Sequence, residues 1–280
     1  MNVFIGFAIT LVIAGLAITA MLFVRRRAPE GSYFTDGDRA SGVFGVLASG
    51  FAILLGFIIF LAFTTYDESR AGAEAEAVLI AQQVETAQFF EAQPRDELTG
   101  ALVCYARYVA GPEWDRLEDR SLGDQLNPWA GAMFRTLKTV EPQTASEEAA
   151  YSKWLDQTAD RQAARQDRVH GAVGVIPTPL WIVLFAISAV IFGYMLFFAD
   201  RGERALTQAM LMGSVVFVIV MLLLLLHFLD NPFRPGVGSL RPIAMERSLR
   251  ILDEELEIAG FDAPLPCDES GVAIEARADG

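Results

Sequence analysis

Four uncharged apolar runs, two short arginine-bearing connections and a helix-patterned middle segment predict an all-α integral membrane protein. The expected layout is four transmembrane helices as two hairpins, with a helical soluble domain between the second and third spans. By residue number, a first hairpin covers 1–66, and a soluble domain continuous with the second span covers 67–172. A second hairpin covers 173–229, an amphipathic helical tail 230–260, and a disordered end 261–280.

The first observation is length. Val3–Val24, Ser41–Tyr66, Val173–Ala199 and Ala205–Leu229 carry no ionised side chain. Each exceeds the roughly 20 residues that cross about 30 Å of hydrocarbon as a helix. Helix is the expected conformation, because lipid offers backbone polar groups no partner. The first run is expected to be retained, since its positive charge, Arg25, Arg26 and Arg27, follows the apolar core instead of preceding it.

The second observation is the placement of charge. The short connections hold Arg25, Arg26, Arg27, Arg39, Arg201 and Arg204, whereas the remaining basic residues are spread over much longer segments. Basic residues near span ends face the cytoplasm, so the middle segment and the tail are expected outside it. Arg161, Arg165 and Arg168, close before the third span, weigh the other way. Cys104 and Cys267 then share one side. There they form a disulfide if the compartment oxidises, or remain two unrelated thiols with Cys104 packed as a small apolar side chain.

The third observation is helical spacing in the middle segment. Asp67–Phe90 has no proline and repeats Ile80, Val84 and Ala87 at helical spacing, with Ala77 and Val78 a turn earlier. It continues the second span without a break and ties that span to the soluble domain. A second helix fits Asp96–Ala110, with Leu98, Leu102, Tyr105 and Val109 inward, and Gly111 and Pro112 predict its end. A looser stretch with Trp114, Leu117, Leu122, Leu126 and Trp129 leads to a short helix over Pro128–Val140. Thr144 and Glu147 match a capping box opening a long helix towards Arg168. Pro242–Ala259 is amphipathic, while the polar residues beyond Pro264 predict disorder.

Chemistry is sparse. The net charge of −13 argues against nucleic acid and against docking on anionic lipid. With two histidines and two cysteines, no metal site is expected, and no catalytic residue or cofactor is assigned. The carboxylates of Asp67, Glu68, Glu74 and Glu76 read as a charged helix face, with Glu68 beside Arg70. His227 with Asp230 would be a proton relay only if buried; an interfacial histidine is the commoner case. No nucleotide loop, nucleophile elbow or metalloprotease motif occurs. Gly42, Gly45 and Gly50 have the spacing of close helix contact. Nothing predicts an enzyme.

Two motifs carry a resemblance. Leu54, Leu55, Gly56 and Phe57 lead into the helix from Tyr66 to Ala77, and Asn231, Pro232 and Phe233 follow the fourth span. In these motifs and in its layout, from about Met1 to Ala259, the chain resembles the bacterial bestrophin-like membrane proteins. More distantly it resembles the bestrophin anion channels. The resemblance implies a multi-pass protein of the bacterial inner membrane, a homo-oligomer (pentameric in the channels) and a pore for chloride or another small anion. Matching the Leu-Leu-Gly-Phe stretch implies a neck at Ser49, Ile53 and Phe57, continued by Phe60 on the same helical face. The acidic calcium clasp that follows the tripeptide in the channels is replaced here by Arg234–Pro242. The channels also keep their helical insert in the cytosol, whereas the arginines here predict the reverse. The competing readings are that the Phe-rich stripe packs on helices or lipid, and that the chain is a non-conducting scaffold or sensor whose soluble domain binds a protein.

Overall fold

The computed structural model describes residues 3–120, 127–258 and 260–274. In chain order the helices are α1 (Val3–Arg25), α2 (Gly37–Ala87), α3 (Ala92–Tyr108), α4 (Trp114–Glu118), α5 (Pro128–Leu137), α6 (Ala145–His170), α7 (Thr178–Phe197), α8 (Ala205–Leu229) and α9 (Ile243–Ile258). The fold is all-helical; among the described residues the only β pairing is an isolated bridge between Cys267 and Ala273. The chain divides into two compact units. One comprises 1–66 and 174–238, the other 67–173 and 239–280. Helix α2 contributes residues to both.

The first unit holds the four helices long and apolar enough to span a membrane. Helix α1 lies along α8, where Ala17 and Met21 bury against Met212 and Val216. Gly213 permits the approach: a Cβ there would come within 2.9 Å of Ile18 Cδ1. Helix α2 turns Phe51, Leu55, Ile58 and Ala62 towards Leu184 and Ile191 of α7 and Leu223 and Leu226 of α8. The spacing of three and four residues puts these α2 side chains on one face. Polar groups inside the spans bond locally, as Thr10 does to the Gly6 carbonyl at 2.9 Å and Ser188 to that of Leu184 at 2.8 Å. The two short connections grip each other: Arg25 donates to the carbonyls of Arg201 and Glu203, and Arg201 to that of Arg26.

The second unit has one core. Ala77, Ile80, Val84 and Ala87 of α2 meet α3, Trp129 and Met133 of α5, Trp154 of α6 and Leu252 of α9. The four inward residues read from the α3 sequence, Leu98, Leu102, Tyr105 and Val109, are all buried. The capping box of α6 is present, with the Glu147 N–H donating to Thr144 Oγ1 at 3.2 Å and the Thr144 N–H to Glu147 Oε2 at 3.2 Å.

Three sequence expectations change here. Gly111 and Pro112 do not stop the helix: Val109–Glu113 widens into a π turn that passes directly into α4. A π turn absorbs a proline because it loosens the regular bonding ladder that the ring would break. Helices α2 and α5 end at Ala87 and Leu137, before Phe90 and Val140. Residues 260–274 are not structureless, because Cys267 is joined to Cys104 of α3 by a disulfide. Trp129 Nε1 donates to the Gly271 carbonyl at 2.7 Å, and Asp268 Oδ1 accepts the N–H groups of Ser270 and Val272. The Ser270 hydroxyl and these N–H groups hold the Asp268 carboxyl below its ordinary pKa. Composition predicted disorder because these residues are small and polar; the covalent link to a buried helix supplies what their own side chains lack. Leu122, Leu126, Ala259 and the last six residues lie outside the described residues.

Candidate functional site

In the first unit, α2 has one buried and one open face. While Leu55 is 1% exposed, Ile53 is 74%, Phe57 62% and Phe60 63% exposed. Ser49 lies on the same open face. At 100° per residue these four fall within about a quarter of the helix circumference. The face is wider than the stripe, since added Cβ atoms at Gly45, Gly50 and Gly56 meet nothing within 4 Å. Gly50 lies on one flank of the stripe and Gly45 and Gly56 on the other. Of the remaining motif residues, Leu54 is half-buried against the α7–α8 cluster.

The tripeptide after α8 is a structural corner. Asp230 Oδ1 accepts the N–H groups of Val175 and Ile176 at 2.7 and 3.0 Å. Asn231 Nδ2 donates to the His227 carbonyl at 2.8 Å, and Phe233 is 2% exposed. These bonds fix the chain entering α7 against the chain leaving α8. Asp230 therefore has a positioning part, and the His227 ring lies edge-on to Trp181.

The four acidic residues after the span are not gathered into one site. Glu74 pairs with Arg70 at 3.2 Å on the surface, the partner expected for Glu68. Asp67 and Glu68 are exposed, whereas Glu76 is buried in the second unit. Among the described residues there is no group of three or more His, Cys, Asp or Glu side chains placed to hold a metal.

Glu76 belongs to a buried ionic network that the sequence reading missed. Arg168 of α6 donates through Nε to Glu76 at 2.6 Å and through Nη2 to Glu113 at 2.7 Å. Arg165 also reaches Glu113, at 3.0 Å, and the Tyr105 hydroxyl donates to Glu76 at 2.5 Å. Burial opposes the charge on Arg168, but the facing carboxylates of Glu76 and Glu113 outweigh it and raise the guanidinium pKa. Burial, then the Glu76 charge, pushes the Tyr105 phenol well above its ordinary value. Arg161, stacked 4.5 Å over the Tyr105 ring, is shifted down, chiefly by burial. A signal existed: Arg161, Arg165 and Arg168 recur at four and three residues, on one face of α6. Glu113 is three residues beyond the predicted helix end at Ala110, so nothing local pointed to it.

The Bestrophin-like domain family matches residues 11–244. The chain belongs to the Bestrophin-like family. The bestrophin-like fold also recurs in solved structures. A point mutant of a bacterial bestrophin homologue from Klebsiella pneumoniae aligns with a TM-score of 0.66 at 14% identity, covering 93% of this chain and 100% of that one. A second mutant of that homologue gives 0.65 at 14% identity, over 91% and 98% of the two chains. A structure described only as a membrane protein gives 0.66 at 14% identity, over 92% and 99%. At this identity the likeness shows the fold alone. No curated protein sequence matches the chain. Family and apolar helices together make this bestrophin-like chain a membrane protein.

Proposed function

We propose that this bestrophin-like protein is an oligomeric, pentameric ion channel whose pore is lined by the open face of α2. The observation that carries this reading is the unpartnered stripe of Ser49, Ile53, Phe57 and Phe60, flanked by glycines with free space beside them. Glycine flanks let neighbouring helices approach closely, and a ring of Ile53 and Phe57 side chains around an axis would gate by dewetting. Family membership favours a small anion such as chloride. The spans cross the bacterial inner membrane as two hairpins, with the second unit outside the cytoplasm. Two facts support that side. The Cys104–Cys267 disulfide suits an oxidising compartment. Arg161 and Arg168, which weighed against it in the sequence, are buried or paired inside the second unit instead of flanking a span.

The deciding experiment is current recording and halide flux with purified protein in lipid bilayers. Wild type is expected to pass anions, and Ile53→Ala with Phe57→Ala to raise the conductance or remove its gating. Silence from both proteins defeats the channel reading. Silence together with a stoichiometric bound protein partner would favour the scaffold or sensor. The acidic outer face of α9, with Ile251 and Ile258 exposed beside it, is a surface for such a partner.

A further inference from the structure

Away from the α2 stripe, the first unit carries a second apolar feature. Helices α1 and α7 both rest on α8, and between them lies a groove of about 480 Å³. Its sides include Leu16 and Ala20 of α1 with Phe185 and Met195 of α7, and Val216 and Ile219 of α8 lie between. The concavity comes from small side chains, since Ala17 and Ala20 of α1 and Ala189 of α7 line it where larger residues would fill it. The lining is apolar throughout except for Ser188, whose hydroxyl is already bonded to the Leu184 carbonyl at 2.8 Å.

Length and position identify the occupant. The groove runs from Phe185 to Met195 on α7, about 15 Å at 1.5 Å per residue. That is half of the roughly 30 Å hydrocarbon thickness, the depth of one leaflet. Past the groove, α1 carries Phe23 at helical spacing from Leu16 and Ala20, and Arg27 follows in the turn after the helix ends at Arg25. The Arg27 guanidinium lies 4.3 Å above the Phe23 ring, beyond the Ala20 end of the groove. Arg25 and Arg201 are engaged with backbone carbonyls, whereas Arg26 and Arg27 are exposed. An apolar trough one leaflet deep, with an exposed arginine beyond its α1 end, matches an acyl chain joined to a phosphate.

We infer that the α1–α7–α8 groove is a phospholipid site, with one acyl chain lying along Ala17 and Ala20 and the headgroup phosphate paired with Arg27. Arginine suits that end because its planar fork binds phosphate oxygens with two parallel donors. The assignment does not depend on whether the chain conducts.

Native mass spectrometry of the purified full-length protein tests it, before and after incubation with vesicles of phosphatidylglycerol and phosphatidylcholine. Wild type is expected to retain bound phospholipid through delipidating detergent and to recover it from the vesicles. Ala20→Phe, which fills the trough, and Arg27→Ala, which removes the phosphate partner, are each expected to cut retention roughly tenfold. Thermal melting and oligomer mass should stay at wild-type values. Unchanged retention in both variants overturns the site. So does efficient cross-linking of Leu16→Cys between subunits in native membranes, because the groove would then be covered by a second copy of the chain.

Discussion

At the residue scale, Arg168 fastens three elements of the second unit. It bonds Glu76 of α2 and Glu113 of the π turn from α6, and its side chain is 1% exposed. Removing one member of such a group strands a buried charge, which costs about 3–5 kcal/mol. Arg168→Leu is therefore expected to lower unfolding stability by that amount in chemical denaturation, far more than removing the exposed Arg70–Glu74 pair, worth roughly 0–1 kcal/mol. The pH dependence follows from Tyr105, whose folded pKa is raised above the ordinary value of 10.0. A raised pKa favours the protonated form in the folded state. Its contribution is fully present below about pH 10 and is lost as pH rises through the folded value. An alkaline absorbance titration of wild type against Tyr105→Phe should show one tyrosine that ionises only when the domain unfolds. Ionisation of that tyrosine near pH 10 in the folded protein would contradict the buried hydroxyl-to-carboxylate bond. Arg168 gives no pH dependence near neutrality, because its folded and unfolded pKa values both lie far above it.

At the element scale, the approach of α2 and α6 in the second unit rests on Gly72. A Cβ there would stand 2.6 Å from the Arg168 nitrogen and 2.7 Å from the Ala164 carbonyl oxygen, both backbone atoms that cannot swing aside. Alanine ordinarily gains about 1 kcal/mol over glycine inside a helix. Here the overlap, at about 1–3 kcal/mol for overpacking, wins. Gly72→Ala should lower the melting temperature, whereas Gly15→Ala, with open space beside it, should not. Much of this was legible from the chain. The apolar periodicity of α2 and α3 and the Thr144–Glu147 cap are local patterns, and helices form on all three, with α2 ending at Ala87 before Phe90 and α3 beginning at Ala92 before Asp96. The continuation through Gly111 and Pro112 was not legible, because a turn signal acts locally while the packing of Trp114 and Leu117, both buried, acts at a distance.

At the scale of the whole molecule, one chain leaves the α2 stripe uncovered, and assembly is the reading that gives it a partner. Gly56→Leu tests this directly. In the single chain a Cβ at this position meets nothing within 4 Å, so helix content and monomer stability should hold. In a ring it enters the gap between neighbouring spans, and light scattering in detergent should report a fall from a fivefold mass towards the monomer. An unchanged mass would mean that α2 faces lipid.

What the sequence by itself determined is whatever depends on neighbours along the chain: four spans, an all-helical fold, and the family, carried by the second span and the tripeptide after the fourth. Those follow from hydrocarbon thickness and helical spacing, which twenty consecutive residues can display. The tertiary structure alone decided which side chains meet. It set Arg168 between Glu76 and Glu113, fastened the polar tail to α3 through Cys267, and left one face of α2 bare while burying Leu55 on the other. Contacts between residues far apart in sequence are selected by how whole helices pack, and no local pattern records that choice. The second span shows both halves: its composition made it a membrane helix, and its packing made one face available.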